Sequence, residues 1–126
     1  MKRLERIKGE FGNALKALEE ALSTARSDLE VDGTIQPFEF TYELFWKLLR
    51  AFLRQEGIAV GTPRECFKEA YRIALLKDEE TALRMLEDRN LTVHLYDKKT
   101  SRSVFGRIKS SYGPLSKEVL DRIEFK

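Results

Sequence analysis

One stretch of the chain, EDRNLTVHLYD at positions 87–97, gathers residue types that handle phosphate and protons: Arg89, Asn90, His94 and Tyr96. His94 is the chain's single histidine. Imidazole titrates near neutrality, so His94 has the chemistry of a general base or acid. A guanidinium carries a permanent charge on a fork matched to phosphate oxygens, which makes Arg89 the natural holder of a phosphoryl group. The Tyr96 phenol has an ordinary pKa of about 10 and suits proton transfer poorly at neutral pH. Its oxygen is nonetheless a nucleophile that an enzyme could direct at phosphorus.

Spacing predicts how these groups meet. On a helix turning about 100° per residue, Asn90 and His94 stand one turn apart and touch, so the amide orients the imidazole. Arg89 and Tyr96 nearly eclipse one another, and Leu91, Val93 and Leu95 anchor the segment to a core. The competing reading is a solvated helix face, and Glu87, Asp88, Lys98 and Lys99 are expected to belong to one.

The elements that would position this motif are helical. Leu4, Ile7, Phe11, Leu15, Leu18 and Leu22 recur at three- and four-residue steps, predicting an amphipathic first helix that ends near Asp32-Gly33. A second helix is expected from about Gln36, with Pro37 in its first turn, to Gly57. Phe38, Phe40, Leu44, Phe45, Trp46, Leu48, Leu49, Phe52 and Leu53 cover most of its circumference. Such a helix must be covered on several sides, either at the centre of a bundle or against a second subunit. Within it, Glu43 and Lys47 have the spacing of a one-turn ion pair.

Thr62-Pro63-Arg64-Glu65 reads as a capping box opening a third helix that runs to about Leu76. Asp78 caps a fourth, which carries Leu83, Leu86 and the histidine motif. A last helix follows from about Ser101, bent at Gly113-Pro114. Arg102, Arg107 and Lys109 on it form either a basic strip for RNA or a solvated face. The whole predicts one all-α domain over residues 1–126, an up-and-down bundle of four to five helices.

Composition narrows the function. With 42% apolar and 35% charged residues the chain has an ordinary globular balance, and its net charge of +2 is too small to signal nucleic-acid binding unless the cations cluster. Cys66 is the only cysteine, so no intrachain disulfide can form and a Cys/His metal site lacks ligands; it reads as a small core residue. The charged start MKRLERIKGEF lacks the apolar run of a signal peptide, and Leu44 to Leu53 is too short to span a bilayer, so no membrane association is expected and the cytoplasm is the default location. Neither a glycine-rich phosphate loop nor a paired-aspartate metal site occurs, so the chain is not expected to be a nucleotidyltransferase itself, and no cofactor or metal is expected.

Three blocks, FEFTYELFWKLL (38–49), TPRECFKEA (62–70) and MLEDRNLTVHLYD (85–97), resemble in order and spacing the nucleotidyltransferase substrate-binding protein family of the HEPN superfamily. The third block is the specific one: arginine, four residues, histidine, one residue, tyrosine. HEPN proteins are similar to metal-independent RNA endonucleases in which the motif arginine and histidine act, which implies catalytic roles for Arg89 and His94 with Asn90 as polar companion. The resemblance also implies pairing with a minimal nucleotidyltransferase in a heterotetramer or larger complex. In related toxin–antitoxin pairs that transferase places AMP on the tyrosine two residues after the histidine, here Tyr96, silencing the nuclease. The alternative it implies is a non-catalytic subunit that presents substrate to the transferase. One chain holds one imidazole, so a two-histidine acid–base pair requires a homodimer facing its motifs across a twofold axis.

Overall fold

The computed structural model describes residues 2–92 and 97–123. Its described elements are helices throughout: α1 (Lys2–Thr24), α2 (Asp28–Asp32), α3 (Ile35–Gln55), α4 (Pro63–Arg72), α5 (Glu79–Leu91), α6 (Lys98–Arg107) and α7 (Gly113–Arg122), with a π-helical turn at Ile108–Tyr112 between the last two. They form the expected all-α bundle, with α1 packed along α3, α3 on α4, α4 on α5, and α7 returning to α1. Among the described residues no helix is long and apolar enough to cross a membrane.

All six apolar positions read from the sequence of α1 are buried. The helix stops at Thr24, however, short of the expected Asp32-Gly33. Ser27 restarts the chain as α2: its side chain accepts from the Glu30 amide, and the Glu30 carboxylate reaches back to the Ser27 amide. This reciprocal capping box satisfies amides that a continuing helix would have bonded itself, so a local signal overrides the apolar period. At Thr62 the arrangement is only half as complete, because the Glu65 carboxylate meets the Thr62 hydroxyl.

The second long helix, α3, is the centre of the bundle. Phe38, Tyr42, Leu44, Phe45, Leu48, Leu49 and Leu53 are all buried. The Phe45 ring sits 5.9 Å from Phe11 on α1 and 5.7 Å from Phe67 on α4, joining three helices through aromatic contacts. Truncating a ring buried this fully costs about 3–5 kcal/mol. Gly57 closes the helix at φ 81°, a left-handed conformation that glycine adopts without a Cβ penalty.

Two further boundaries differ from the sequence reading. α4 ends at Arg72, because Ala74 turns left-handed at φ 65° and both the Leu75 and Leu76 amides fold back onto the Ala70 carbonyl. α6 starts at Lys98 instead of Ser101, since Asp97 caps it by accepting from the Lys99 and Thr100 amides. The expected bend at Gly113-Pro114 takes the form of the π-helical turn. Pro114 has no N–H and its ring crowds the carbonyl four residues earlier, so the chain widens by one residue ahead of it. The Gly113 amide bonds to the Ile108 carbonyl five residues back.

Candidate functional site

The motif begins in the last turn of α5. Asp78 starts that helix by accepting from the Thr81 amide at 3.0 Å and from its hydroxyl at 2.7 Å. Ala82, Met85 and Asp88, three residues apart, form its buried face. Arg89 lies one step further round, about 100° from Asp88. These neighbours therefore face opposite packing partners.

Arg89 faces α3. Its terminal nitrogens stand 3.7 Å from Glu39 Oε2 and 3.8 Å from Glu43 Oε1, carboxylates one turn apart on the same face of α3. Both separations exceed hydrogen-bond length, so the charges attract without locking the fork. The Thr92 hydroxyl lies 2.8 Å from the same Glu39 oxygen and 2.7 Å from the Arg89 carbonyl, two acceptors competing for one proton. Trp46 Nε1 donates to the other oxygen of Glu43 at 3.1 Å. Glu43 thus meets Arg89 and Trp46, and not the expected Lys47.

Two polar atoms here are buried without a hydrogen-bond partner among the described residues: Arg89 Nε and the Tyr42 hydroxyl. Tyr42 is buried on α3 beside Glu43, its ring edge-on to Phe67. Burial, reinforced by the Glu43 charge, pushes its phenol pKa well above the ordinary value, so it stays protonated as a donor in search of an acceptor. A buried donor left unmade costs about 1–3 kcal/mol.

Asp88 faces the other way. It was expected on a solvated face with Glu87, Lys98 and Lys99, but only 6% of it is exposed. Arg107 grips it with a fork, Nε to Oδ2 at 2.7 Å and a terminal nitrogen to Oδ1 at 3.0 Å, and the buried Tyr112 hydroxyl donates to Oδ2. Arg107 is therefore neither part of an RNA-facing strip nor a solvated cation. The hydrogen bond with Asp88 raises its pKa further, while burial leads Asp88 in raising that of Tyr112. Tyr112 reaches Asp88 from the π-helical turn, and its ring stacks 5.9 Å from Phe38. Arg102 likewise binds Asp28 at 2.8 Å, tying α6 to α2.

Of the residues singled out in the sequence, Arg89 and Asn90 fall on the last turn of α5, with Asn90 exposed. The helix ends at Leu91, where Thr92 donates its amide to the Asp88 carbonyl. His94 and Tyr96 lie outside the described residues, as do the expected Asn90–His94 contact and the Arg89–Tyr96 alignment. Sequence reasoning missed Glu39, Thr92, Tyr112 and the partnership of Asp88 with Arg107. For Glu39 a signal existed: with Glu43 it puts the two acids of α3 one turn apart.

Comparison with known proteins bears on this arrangement. Residues 6–125 match the model of the family described as nucleotidyltransferase substrate binding protein like. The chain belongs to that family. Over 87 residues it is 33% identical to a Haemophilus influenzae protein named "Probable ribonuclease HepT", the alignment covering 64% of this chain and 59% of that relative. The chain thus spans well under two thirds of that relative's length. A crystal structure of a Thermus thermophilus protein superposes with a TM-score of 0.83 at 38% identity, covering 89% of this chain and 97% of the other. A second structure, from Haemophilus influenzae and described as revealing the fold of a substrate binding domain of a nucleotidyltransferase, gives 0.80 at 25% identity over 91% and 97% of the two chains.

Proposed function

We propose that this chain is a metal-independent RNA endonuclease that works as a homodimer in the cytoplasm and is held in check by a minimal nucleotidyltransferase. The observation that carries the reading is the state of Arg89: a half-buried guanidinium on the motif's last helical turn, with Nε unpartnered among the described residues and its terminal nitrogens beyond hydrogen-bond length from Glu39 and Glu43. A phosphodiester oxygen would bond the terminal nitrogens, whose carboxylate neighbours stand beyond hydrogen-bond length.

In the proposed reaction His94 takes the proton of a ribose 2′-hydroxyl. The 2′-oxygen forms a bond to the adjacent phosphorus, and the phosphorus–O5′ bond breaks. A second imidazole, from the other subunit, protonates the departing 5′-oxygen and leaves a 2′,3′-cyclic phosphate. Arg89 balances charge on the phosphoryl oxygens, and Asn90 orients His94. For silencing, the Tyr96 oxygen attacks the α-phosphorus of ATP in the transferase and pyrophosphate leaves. The added AMP brings bulk and negative charge to the Arg89 neighbourhood.

A second reading, a non-catalytic subunit presenting substrate to the transferase, is favoured by Glu39 and Glu43, which already offset the Arg89 charge. One experiment separates the two. Unmodified protein in chelator should cut RNA to cyclic-phosphate ends, and His94→Ala should abolish cutting while dimer mass is retained. Absence of cleavage by the wild type transfers the assignment to the binding subunit.

A further inference from the structure

A second charged feature lies further along α3. Lys47, Arg50 and Arg54 project within an arc of about 60°, spread over about 10 Å of helix. With Arg3 from the start of α1 they line a cavity of about 300 Å³. Leu4 and Ala51 give it an apolar floor, and no carboxylate lines it among the described residues. Six other arginines, Arg6, Arg72, Arg89, Arg102, Arg107 and Arg122, each have a carboxylate within 4 Å, whereas Arg26, Arg64 and Arg84 are in no ion pair among the described residues. Among the described residues none of the four cavity cations is in an ion pair. Arg50 is fixed by the Trp46 ring, with its guanidinium carbon 4.6 Å from the ring centroid.

Four like charges around one concave space repel one another, and among the described residues no acid lines the cavity to offset them. Low-dielectric walls focus their field into the cavity. An anion with several charges spaced a few ångströms apart meets all of them at once. In a protein whose net charge is only +2, this cluster is the concentration of positive charge that composition alone does not reveal. We propose that the cavity is a phosphate-binding site, taking two or more phosphate groups of a nucleotide or of an RNA strand. The phosphates lie against Arg3, Lys47 and Arg54, while the planar Arg50 and the Leu4–Ala51 floor accept a base or sugar. Lys47 follows Glu43 by one turn, so a strand laid along α3 would run from Arg89 into this cavity. The site itself needs neither Arg89 nor His94, and its existence is independent of the cleavage reading.

Trp46, the only tryptophan, lies directly under Arg50 and reports occupancy by its fluorescence. The probes are inorganic tripolyphosphate, ATP and a single-stranded oligouridylate. At least one should change the emission saturably at low salt. Lys47 and Arg54 are exposed, so Lys47→Gln/Arg54→Gln should fold normally. It should weaken binding about tenfold or more and lower the RNA salt slope by about 1.4, roughly 0.7 per lost phosphate contact. Arg102→Gln removes one charge from α6 and should leave affinity within about twofold. Tighter binding of oligouridylate assigns the cavity to a strand; tighter binding of ATP assigns it to a nucleotide. No response to any probe, or full affinity in the double variant, overturns the proposal. Neither result touches the cleavage assay with His94→Ala, so the two readings fail separately.

Discussion

Asp88 and Arg89 are sequence neighbours carrying opposite charges, yet the fold treats them as opposites in another sense. Asp88 is enclosed and saturated: a two-pronged arginine and a tyrosine hydroxyl take up its oxygens, and both donors come from the α6–π segment. Arg89 is a quarter exposed and less tightly held, with two carboxylates at 3.7 and 3.8 Å and Nε unmet among the described residues. The first arrangement fixes the end of α5. The second has attraction to spare. Asp88 has its partners at bonding distance, whereas Arg89 has its carboxylates just beyond it.

This contrast yields predictions of decreasing effect on stability. Asp88→Ala should be the most damaging, at about 3 kcal/mol, because it leaves Arg107 and the buried Tyr112 hydroxyl without their acceptor. Thermal unfolding followed by circular dichroism should show the midpoint falling by roughly 10 °C. A loss within error of zero would mean that the pair holds nothing in place.

Tyr112→Phe keeps the ring on Phe38 and removes one donor, while Arg107 still satisfies Asp88. About 1 kcal/mol is expected from urea titration, with an unchanged slope. A loss as large as that of Asp88→Ala would shift the weight of the network from the arginine to the tyrosine.

Arg89→Gln should change stability least, by under about 1 kcal/mol, since its ion pairs are long and partly exposed. Under the proposed function it should nevertheless abolish RNA cleavage in a gel assay run beside the wild type. If instead it unfolds the protein as Asp88→Ala does, the two charges are equivalent and the distinction between them collapses.

How much of this could be read in advance depended on range. Helix identity was legible wherever the signal was local: the Leu4-to-Leu22 period, the Asp78 cap, proline at the start of α4, and glycine at φ 81° after α3. Errors arose where a local signal competed with the apolar period, as at Ser27, or where a turn used an unexpected residue, as at Ala74. Asp88 was misread for a different reason. In sequence it is one charge in a run of charges, and its partners lie nineteen and twenty-four positions away.

The candidate site divides along the same line. The residue types and spacing of 87–97, and the family to which the chain belongs, are properties of the sequence, because motif order and helical period need no third dimension. What Arg89 faces is not. Glu39 and Glu43 stand about fifty residues before it, and only the packing of α5 against the α3–α4 layer brings them within 4 Å. The cavity cations divide likewise: Lys47, Arg50 and Arg54 share a face by helical periodicity alone. Arg3 joins them only because α1 lies along α3. Charge sign and periodicity are local quantities, whereas the partner of a charge depends on which surfaces the apolar core draws together.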